Sequence, residues 1–506
     1  MRVLQIGRED WAASSHIPKG VEWCFADVDD PNAFDAKAIG RVEVTLLDSP
    51  CDADKLAAIE PLITPYALLV GKHLAARHRE DALNGDHGEL FARKAAIFAD
   101  LSDRQAVIDS LPRRFFAKPF GQKLEASKAV VSPLRKADIR FEGTGYLVAT
   151  IDQPDEWRQL VTWRENIAYE CERPLELWPQ FAVDPGCEIE FRVQLIQSGS
   201  SDVIAFQGAY TQAELAEPIV FDQPVSGYLS CSIFARGVGE VKTGPIHYRH
   251  SRLGAGQFLP GGSRIVDSRR DELFYYFHPG NLKPPFNIYF SGYRPAEGFE
   301  GYFMMEGLGH PFLLVTDPRL EGGRFYLGSD ELENKLIEVI RERIEALGFR
   351  EQDVIFSGLS MGSFGALYYG SQFDAHAIIA GKPIVDLGYV ARRGRLVRPQ
   401  EFFTIFDMVK FWNRDGEPTA DAFTERLIAK WSGDPGFGNT KILLSYMMQD
   451  DYDNEAYYTI LGSQTGKPTT VIARGYQGRH NDDSPSIVTW FINQFRRVIE
   501  EFGGTQ

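Results

Sequence analysis

The sequence predicts a mixed α/β protein in three parts: a small α/β unit over residues 1–125, a β-sandwich-like part over 126–269 and a larger α/β domain over 270–506. Three observations predict it. At both ends of the chain short apolar runs alternate with amphipathic stretches, the rhythm of parallel strands joined by helices. Between them helical periodicity fades, and Gly and Pro punctuate short runs that alternate apolar and polar residues, the pattern of antiparallel strands. Near residue 360 a β-branched and aromatic run enters a Gly-bounded turn and leaves it as a helix, which sets the architecture of the last part.

Size and composition agree. At 506 residues the chain is too long for one core, and about two to four domains are expected. Hydrophobic content of 44% and charged content of 25% are those of an ordinary globular protein. A net charge of −16 argues against a general binder of nucleic acid or anionic membrane and suits a cytoplasmic protein. The five cysteines are odd in number and form no C-x-x-C, which argues against a disulfide framework or a zinc site. Met1 to Gly7 reads as a strand and not as a signal peptide, and no run of about 18 apolar residues is long enough to span a membrane.

In the first part, Val3–Ile6, Val42–Leu47, Tyr66–Val70 and Ala95–Phe98 read as strands, and Ala53–Ile59 and Asp103–Leu111 as helices. Gly7 follows the first strand, but no G-x-G-x-x-G or P-loop follows it, so no nucleotide is assigned. In the middle part, Ile139–Phe141, Tyr146–Ile151, Ile189–Ile196, Val203–Tyr210, Gly227–Ala235 and Ile246–His250 read as strands. Only Glu156–Ala168 keeps a helical period there. In the last part, Phe286–Phe290, Phe312–Val315, Val354–Phe356, Ala377–Ile379, Lys441–Ser445 and Thr470–Ala473 are the strands. Glu331–Leu347, Ser363–Ser371, Ala420–Trp431 and Ser484–Phe502 are the helices between and after them, giving a doubly wound parallel sheet.

Gly358-Leu359-Ser360-Met361-Gly362 matches G-x-S-x-G in the context that gives the pattern meaning, a strand before and a helix after. This is the nucleophile elbow of α/β hydrolases: the serine hydroxyl projects above the sheet, and the N–H of Met361 points to where an oxyanion forms. A serine alcohol needs a base, and the base needs an orienting carboxylate, in the chain order Ser, Asp/Glu, His. His480, in the loop before the last helix, is the candidate base. Asp450 is the candidate acid, being the first carboxylate beyond Lys441–Ser445, with Asp451 and Asp453 as alternatives and Asp386 as a remoter one. The second oxyanion donor is expected from the loop after an earlier strand, at Gly292 or Tyr293. Arg294 either binds an anionic part of a substrate or pairs with Glu297 or Glu300. No metal and no organic cofactor is implied. Acetyl-CoA is one candidate acyl donor, but no Gly-rich phosphate cradle marks a place for it.

Four stretches together carry a family resemblance: Met1 to Gly7 with Glu9-Asp10-Trp11, Tyr289 to Arg294 with Glu297 to Gly301, Gly358 to Gly362, and Gly478-Arg479-His480-Asn481. In motif order and over the whole length the chain resembles the second accessory Sec system protein, which accompanies export of serine-rich repeat adhesins. The resemblance implies a cytoplasmic α/β-hydrolase-fold enzyme, working at the membrane-bound export machinery, that O-acetylates N-acetylglucosamine on the adhesin and assists its export. It implies the first and third accessory Sec proteins and the accessory motor ATPase as partners, and it maps nucleophile and base onto Ser360 and His480. Some members carry Glu as the acid, where Asp450 stands here. The residues alone stop at a serine esterase or acyltransferase. The alternatives are a plain esterase or deacetylase, and a secretion scaffold with a vestigial triad.

Overall fold

The computed structural model describes residues 1–74, 86–133, 138–319, 324–397, 407–408, 419, 421–433, 436–465 and 467–503, and three sheets organise them. The first contains β1 (Arg2–Gly7), β2 (Glu22–Asp27), β3 (Val44–Leu47), β4 (Leu68–Gly71) and β5 (Ile97–Ala99), all parallel, in the order 2-1-3-4-5. Val3, Leu4, Ile6, Leu46 and Val70 are buried, because helices cover both faces of such a sheet. The strand β2 is not among the strands expected from the sequence: it is an edge strand, mostly half-buried, and its apolar run is confined to Trp23–Ala26 between Glu22 and Asp27.

The second sheet is antiparallel and holds ten strands. They are β6 (Gly121–Leu124), β7 (Ala129–Val131), β8 (Asp138–Glu142), β9 (Tyr146–Trp163), β10 (Ile167–Tyr169), β11 (Leu175–Val183), β12 (Cys187–Gln197), β13 (Ile204–Thr211), β14 (Ile219–Phe221) and β15 (Gly227–His250). In place of the two stacked sheets of a sandwich, the hydrogen bonds run through one connected sheet with β15 as its spine. One edge of β15 pairs with β12 and then β11; the other pairs with β10, β9 and β6. The strands expected at Gly227–Ala235 and Ile246–His250 are the two ends of this one strand. It turns at Gly237 and Gly239, both at positive φ, and a Cβ on Gly237 would lie 2.1 Å from the Gly186 carbonyl oxygen.

The helix expected over Glu156–Ala168 is instead the end of β9 and most of β10. Register shifts lie opposite it, between Ile233 and Phe234 and between Ala235 and Gly237. Such bulges break the two-residue alternation, and the broken pattern imitates a helical period.

The third sheet comprises β16 (Ser263–Val266), β17 (Glu272–His278), β18 (Phe286–Phe290), β19 (Phe312–Thr316), β20 (Val354–Leu359), β21 (Ala377–Gly381), β22 (Lys441–Met447) and β23 (Thr470–Tyr476). Their order is 16-17-19-18-20-21-22-23, with β17 antiparallel to both neighbours and the other pairings from β19 onward parallel. Side chains alternate between two cores. Ile288, Phe290 and Phe356 face Leu336, Phe364 and Trp431 on one side, while Tyr289, Ile355 and Ile379 face Trp490, Phe491 and Phe495 on the other. The helices Asp330–Leu347, Met361–Gly370, Asp421–Ser432 and Ser484–Gly503 follow the expected spans, and Ala420 lies outside the described residues.

Charges are buried where the second sheet meets the third. Arg249 of β15 binds Glu297 (2.5 Å) and Glu272 (2.7 Å), and His247 Nδ1 lies 2.6 Å from the other Glu297 oxygen. The carbonyl of Gly121 in β6 accepts the Glu297 N–H, and Lys123 Nζ donates to the Pro318 carbonyl. Burial alone would raise the Glu297 pKa, but Arg249 and His247 outweigh it and bring it down to about 2. Glu297 belongs to the loop that follows β18, so the middle sheet grips a segment that begins beside Ser360.

Candidate active site

Ser360 follows β20 at φ +55° and ψ −121°, a backbone conformation that costs a non-glycine residue about 1–3 kcal/mol. The surroundings hold it there. Its N–H donates to the Gly381 carbonyl at 2.8 Å, and the helix Met361–Gly370 starts at the next residue. The flanking glycines are steric requirements. A Cβ on Gly358 would lie 2.2 Å from the Gly362 carbonyl, and one on Gly362 would lie 2.1 Å from the Phe290 oxygen. Strand, elbow and the loop after β18 therefore meet backbone to backbone.

The hydroxyl of Ser360 lies 2.8 Å from His480 Nε2, and His480 Nδ1 lies 2.7 Å from Asp450 Oδ2. Both the His480 and Asp450 side chains are 3% exposed. With the proton on Nδ1 donated to the buried carboxylate, Nε2 is left to accept the serine proton. The ring is also held from the side, where Tyr452 packs edge-on at 4.7 Å. Two loops support this line. The one after β22 and the one after β23 are joined by Met448 N–H to the Tyr476 carbonyl and by Gln449 N–H to the Gly478 carbonyl.

Each alternative acid has a different partner. Asp451 accepts the backbone N–H of His480 (3.1 Å) and so positions the histidine loop. Asp453 accepts the N–H groups of Val385 and Asp386, both at 2.8 Å. Burial pushes Asp453 up to about 6, against the pull of those two hydrogen bonds. Asp386 accepts from Tyr389 N–H and the Thr424 hydroxyl at the start of the helix Leu387–Val397. Asp450 is the carboxylate that meets the His480 ring.

The oxyanion side is less simple than expected. Met361 heads its helix directly after Ser360, where N–H groups have no intrahelical partner. Gly292 is beside the elbow, but its N–H is donated to Glu300 Oε2 at 2.6 Å. Tyr293 stands exposed on the same loop. Arg294 donates to the Phe299 carbonyl at 2.8 Å rather than to Glu297 or Glu300, whose carboxylates are engaged with Arg249 and His247 and with Gly292.

Sequence reasoning offered Glu300 only as a partner of Arg294 and missed Lys382 altogether. Glu300 closes the β18 loop on itself by taking the Gly292 N–H. Lys382 follows β21 directly, at φ +51°. Its Nζ donates to the Ser484 hydroxyl at 2.9 Å, and burial lowers its pKa while Asp450 opposes that shift. A strand-end position next to Ser360 is the signal that could have found it. Among the described residues no group of three or more His, Cys, Asp or Glu side chains is placed to hold a metal ion, and no helix is long and apolar enough to cross a membrane.

What this geometry defines is a class, a nucleophile-elbow serine site of the kind that hydrolases and acyltransferases build at the carboxyl edge of a doubly wound sheet. Comparison with known proteins narrows it. The chain belongs to the accessory Sec system GspB-transporter family, whose model matches residues 1–504. It is 37% identical over 520 residues to the second accessory Sec system protein of Staphylococcus aureus, covering 100% of this chain and 98% of that one. It is 36% identical over 511 residues to the corresponding protein of Streptococcus gordonii, covering 99% of each. Among solved structures, a chain of the glycosylation-associated Gap123 complex from Streptococcus agalactiae superposes with a TM-score of 0.87 at 33% identity, over 99% of this chain and 98% of that one.

Proposed function

We propose that the protein is a serine O-acetyltransferase of the accessory Sec system, which acetylates N-acetylglucosamine on serine-rich repeat adhesins and assists their export. The observation that carries the enzymatic half is the hydrogen-bonded line from Ser360 through His480 to buried Asp450. The strand order of the third sheet, with its one antiparallel strand next to the edge, is read as an α/β-hydrolase fold. The secretory half rests on family membership. The relative from Streptococcus agalactiae is part of a complex, which supports the first and third accessory Sec proteins as partners of this chain. The accessory motor ATPase as a further partner and a cytoplasmic location are part of the same proposal and rest on the family reading alone.

The chemistry runs in two halves. His480 Nε2 takes the proton of Ser360 as its oxygen attacks the carbonyl of an acetyl ester or thioester. The Met361 N–H stabilises the oxyanion. The bond to the donor's leaving group breaks, and His480 returns the proton to that group. The acetyl-serine ester is then attacked by a sugar hydroxyl, whose proton passes to His480 and on to the departing serine oxygen. A second oxyanion donor from Gly292 requires that Glu300 release its N–H when the acyl group enters. The test is product analysis by mass spectrometry with an acetyl donor and N-acetylglucosamine. Acetylated sugar formed by wild type and absent with Ser360→Ala is the expected result. Release of acetate alone, unaffected by sugar, would make the protein an esterase instead.

A further inference from the structure

The first sheet has a site architecture of its own. In a doubly wound sheet of order 2-1-3-4-5 the chain leaves β1 and β3 toward opposite faces, and a crevice opens outside the carboxyl ends of the strands. The structure has a cleft of about 530 Å³ there, and its walls are the residues that follow β1, β3, β4 and β5. That volume lies within the range of small-molecule sites. Three cations (Arg8, Lys72 and Arg104) and three carboxylates (Glu9, Asp48 and Asp100) line it.

The floor is built rather than incidental. Gln5 lies fully buried within β1. Its amide donates to Asp48 Oδ2 (2.7 Å) and to the Glu9 carbonyl (2.8 Å), and its oxygen accepts the Trp11 N–H (3.0 Å). Ser49 donates to Asp48 Oδ1, and His73 Nε2 contacts the Asp48 carbonyl at 2.9 Å. Arg104 pairs with Glu9 at 2.7 Å while its guanidinium lies over the Trp11 ring. Burial pushes the Asp48 carboxyl upward in pKa, against the hydrogen bonds from Ser49 and Gln5 that hold it in place.

The lining also says which ligand fits. Phosphate is disfavoured, since the charges balance three against three. The Asp48 carboxylate moreover covers the turn after β1, where a nucleotide-binding sheet brings its phosphate: a Cβ on Gly7 would lie 2.0 Å from Asp48 Oδ1. Carboxylates that accept and guanidinium and ammonium groups that donate, with no net charge, suit a neutral polyhydroxyl molecule. We infer that this cleft is a carbohydrate-binding site, separate from the serine site on the third sheet.

The test uses the full chain and saturation-transfer NMR with N-acetylglucosamine, its β-1,4-linked disaccharide and glucose at about 10 mM. At least one of these gives a signal. Lys72→Ala and Asp100→Ala, both at exposed positions, each weaken it about tenfold, the loss of one hydrogen bond. Fluorophosphonate labelling at Ser360 and the circular-dichroism spectrum stay unchanged in both variants. The inference is overturned by no signal from any of the three sugars, by equal signals in wild type and variants, or by displacement of the sugar by inorganic phosphate or ADP.

Discussion

Replacing Asp450 by Asn changes one atom type and should remove nearly all activity of the serine. The reason lies in how the carboxylate is shared. Asp450 Oδ1 accepts the N–H of Tyr452 (2.9 Å) and of Asp453 (3.3 Å), while Oδ2 accepts from His480 Nδ1 (2.7 Å). An asparagine has one oxygen, and the two backbone N–H groups claim it. Its NH2 then faces His480 Nδ1, which has to become an acceptor. The ring proton moves to Nε2, and the Ser360 hydroxyl meets a donor where it needs a base. A forced tautomer of this kind lowers kcat by about 10⁴ in the Ser-His-Asp template, or about 5 kcal/mol of transition-state stabilisation. The side chain is isosteric and buried, so the fold should survive. The assay is the rate of acyl-enzyme formation from a chromogenic acetyl ester, with circular dichroism as the folding control. A loss smaller than about tenfold in a folded variant would refute the reasoning. So would an equal loss in Asp453→Asn.

Two further predictions concern buried charge. Glu297→Gln leaves His247 without a carboxylate and Arg249 with Glu272 alone, and should cost about 3–5 kcal/mol in urea unfolding. Because the Glu297 pKa is depressed to about 2 in the fold, its contribution is present above the ordinary carboxylate value and is lost as pH falls from about 4 to about 2. Wild type and Glu297→Gln should therefore converge in melting temperature over that window, and a constant gap would count against the network. Asp453 is the opposite case, raised to about 6, so its stabilisation is complete below the ordinary Asp value and lost as pH rises through 6. In an Asp453→Asn variant the amide carbonyl can accept both loop N–H groups without the charge. That variant should be more stable than wild type at pH 8 by on the order of 2 kcal/mol and match it near pH 4; equal stability at both pH values would show that the carboxylate is not strained there.

How far the sequence reached follows from burial. Strands covered on both faces, such as Phe312–Val315 and Val354–Phe356, read as unbroken apolar runs and are legible. The triad is legible because in this topology each member follows the carboxyl end of a strand or precedes a helix: Ser360 after β20, Asp450 after β22, His480 between β23 and the last helix. What fails depends on pairing. The end of β9 looks helical because bulges within β9 itself shift the alternation, and β15 looks like two strands because its middle crosses a Gly-containing bend. The β18 loop is placed correctly, but nothing local says that Glu300 takes the Gly292 N–H. The cleft on the first sheet cannot be read at all, since its residues are spread from Arg8 to Arg104 and only the strand order brings them together.

The proposed chemistry stands or falls with Ser360 as a nucleophile activated by His480. Labelling the purified protein with a fluorophosphonate probe and mapping the modified peptide by mass spectrometry tests it most directly. Modification at Ser360, absent in Ser360→Ala and lost in His480→Ala, is the expected result. No modification of the wild type, or modification at another residue that persists in both variants, would contradict it.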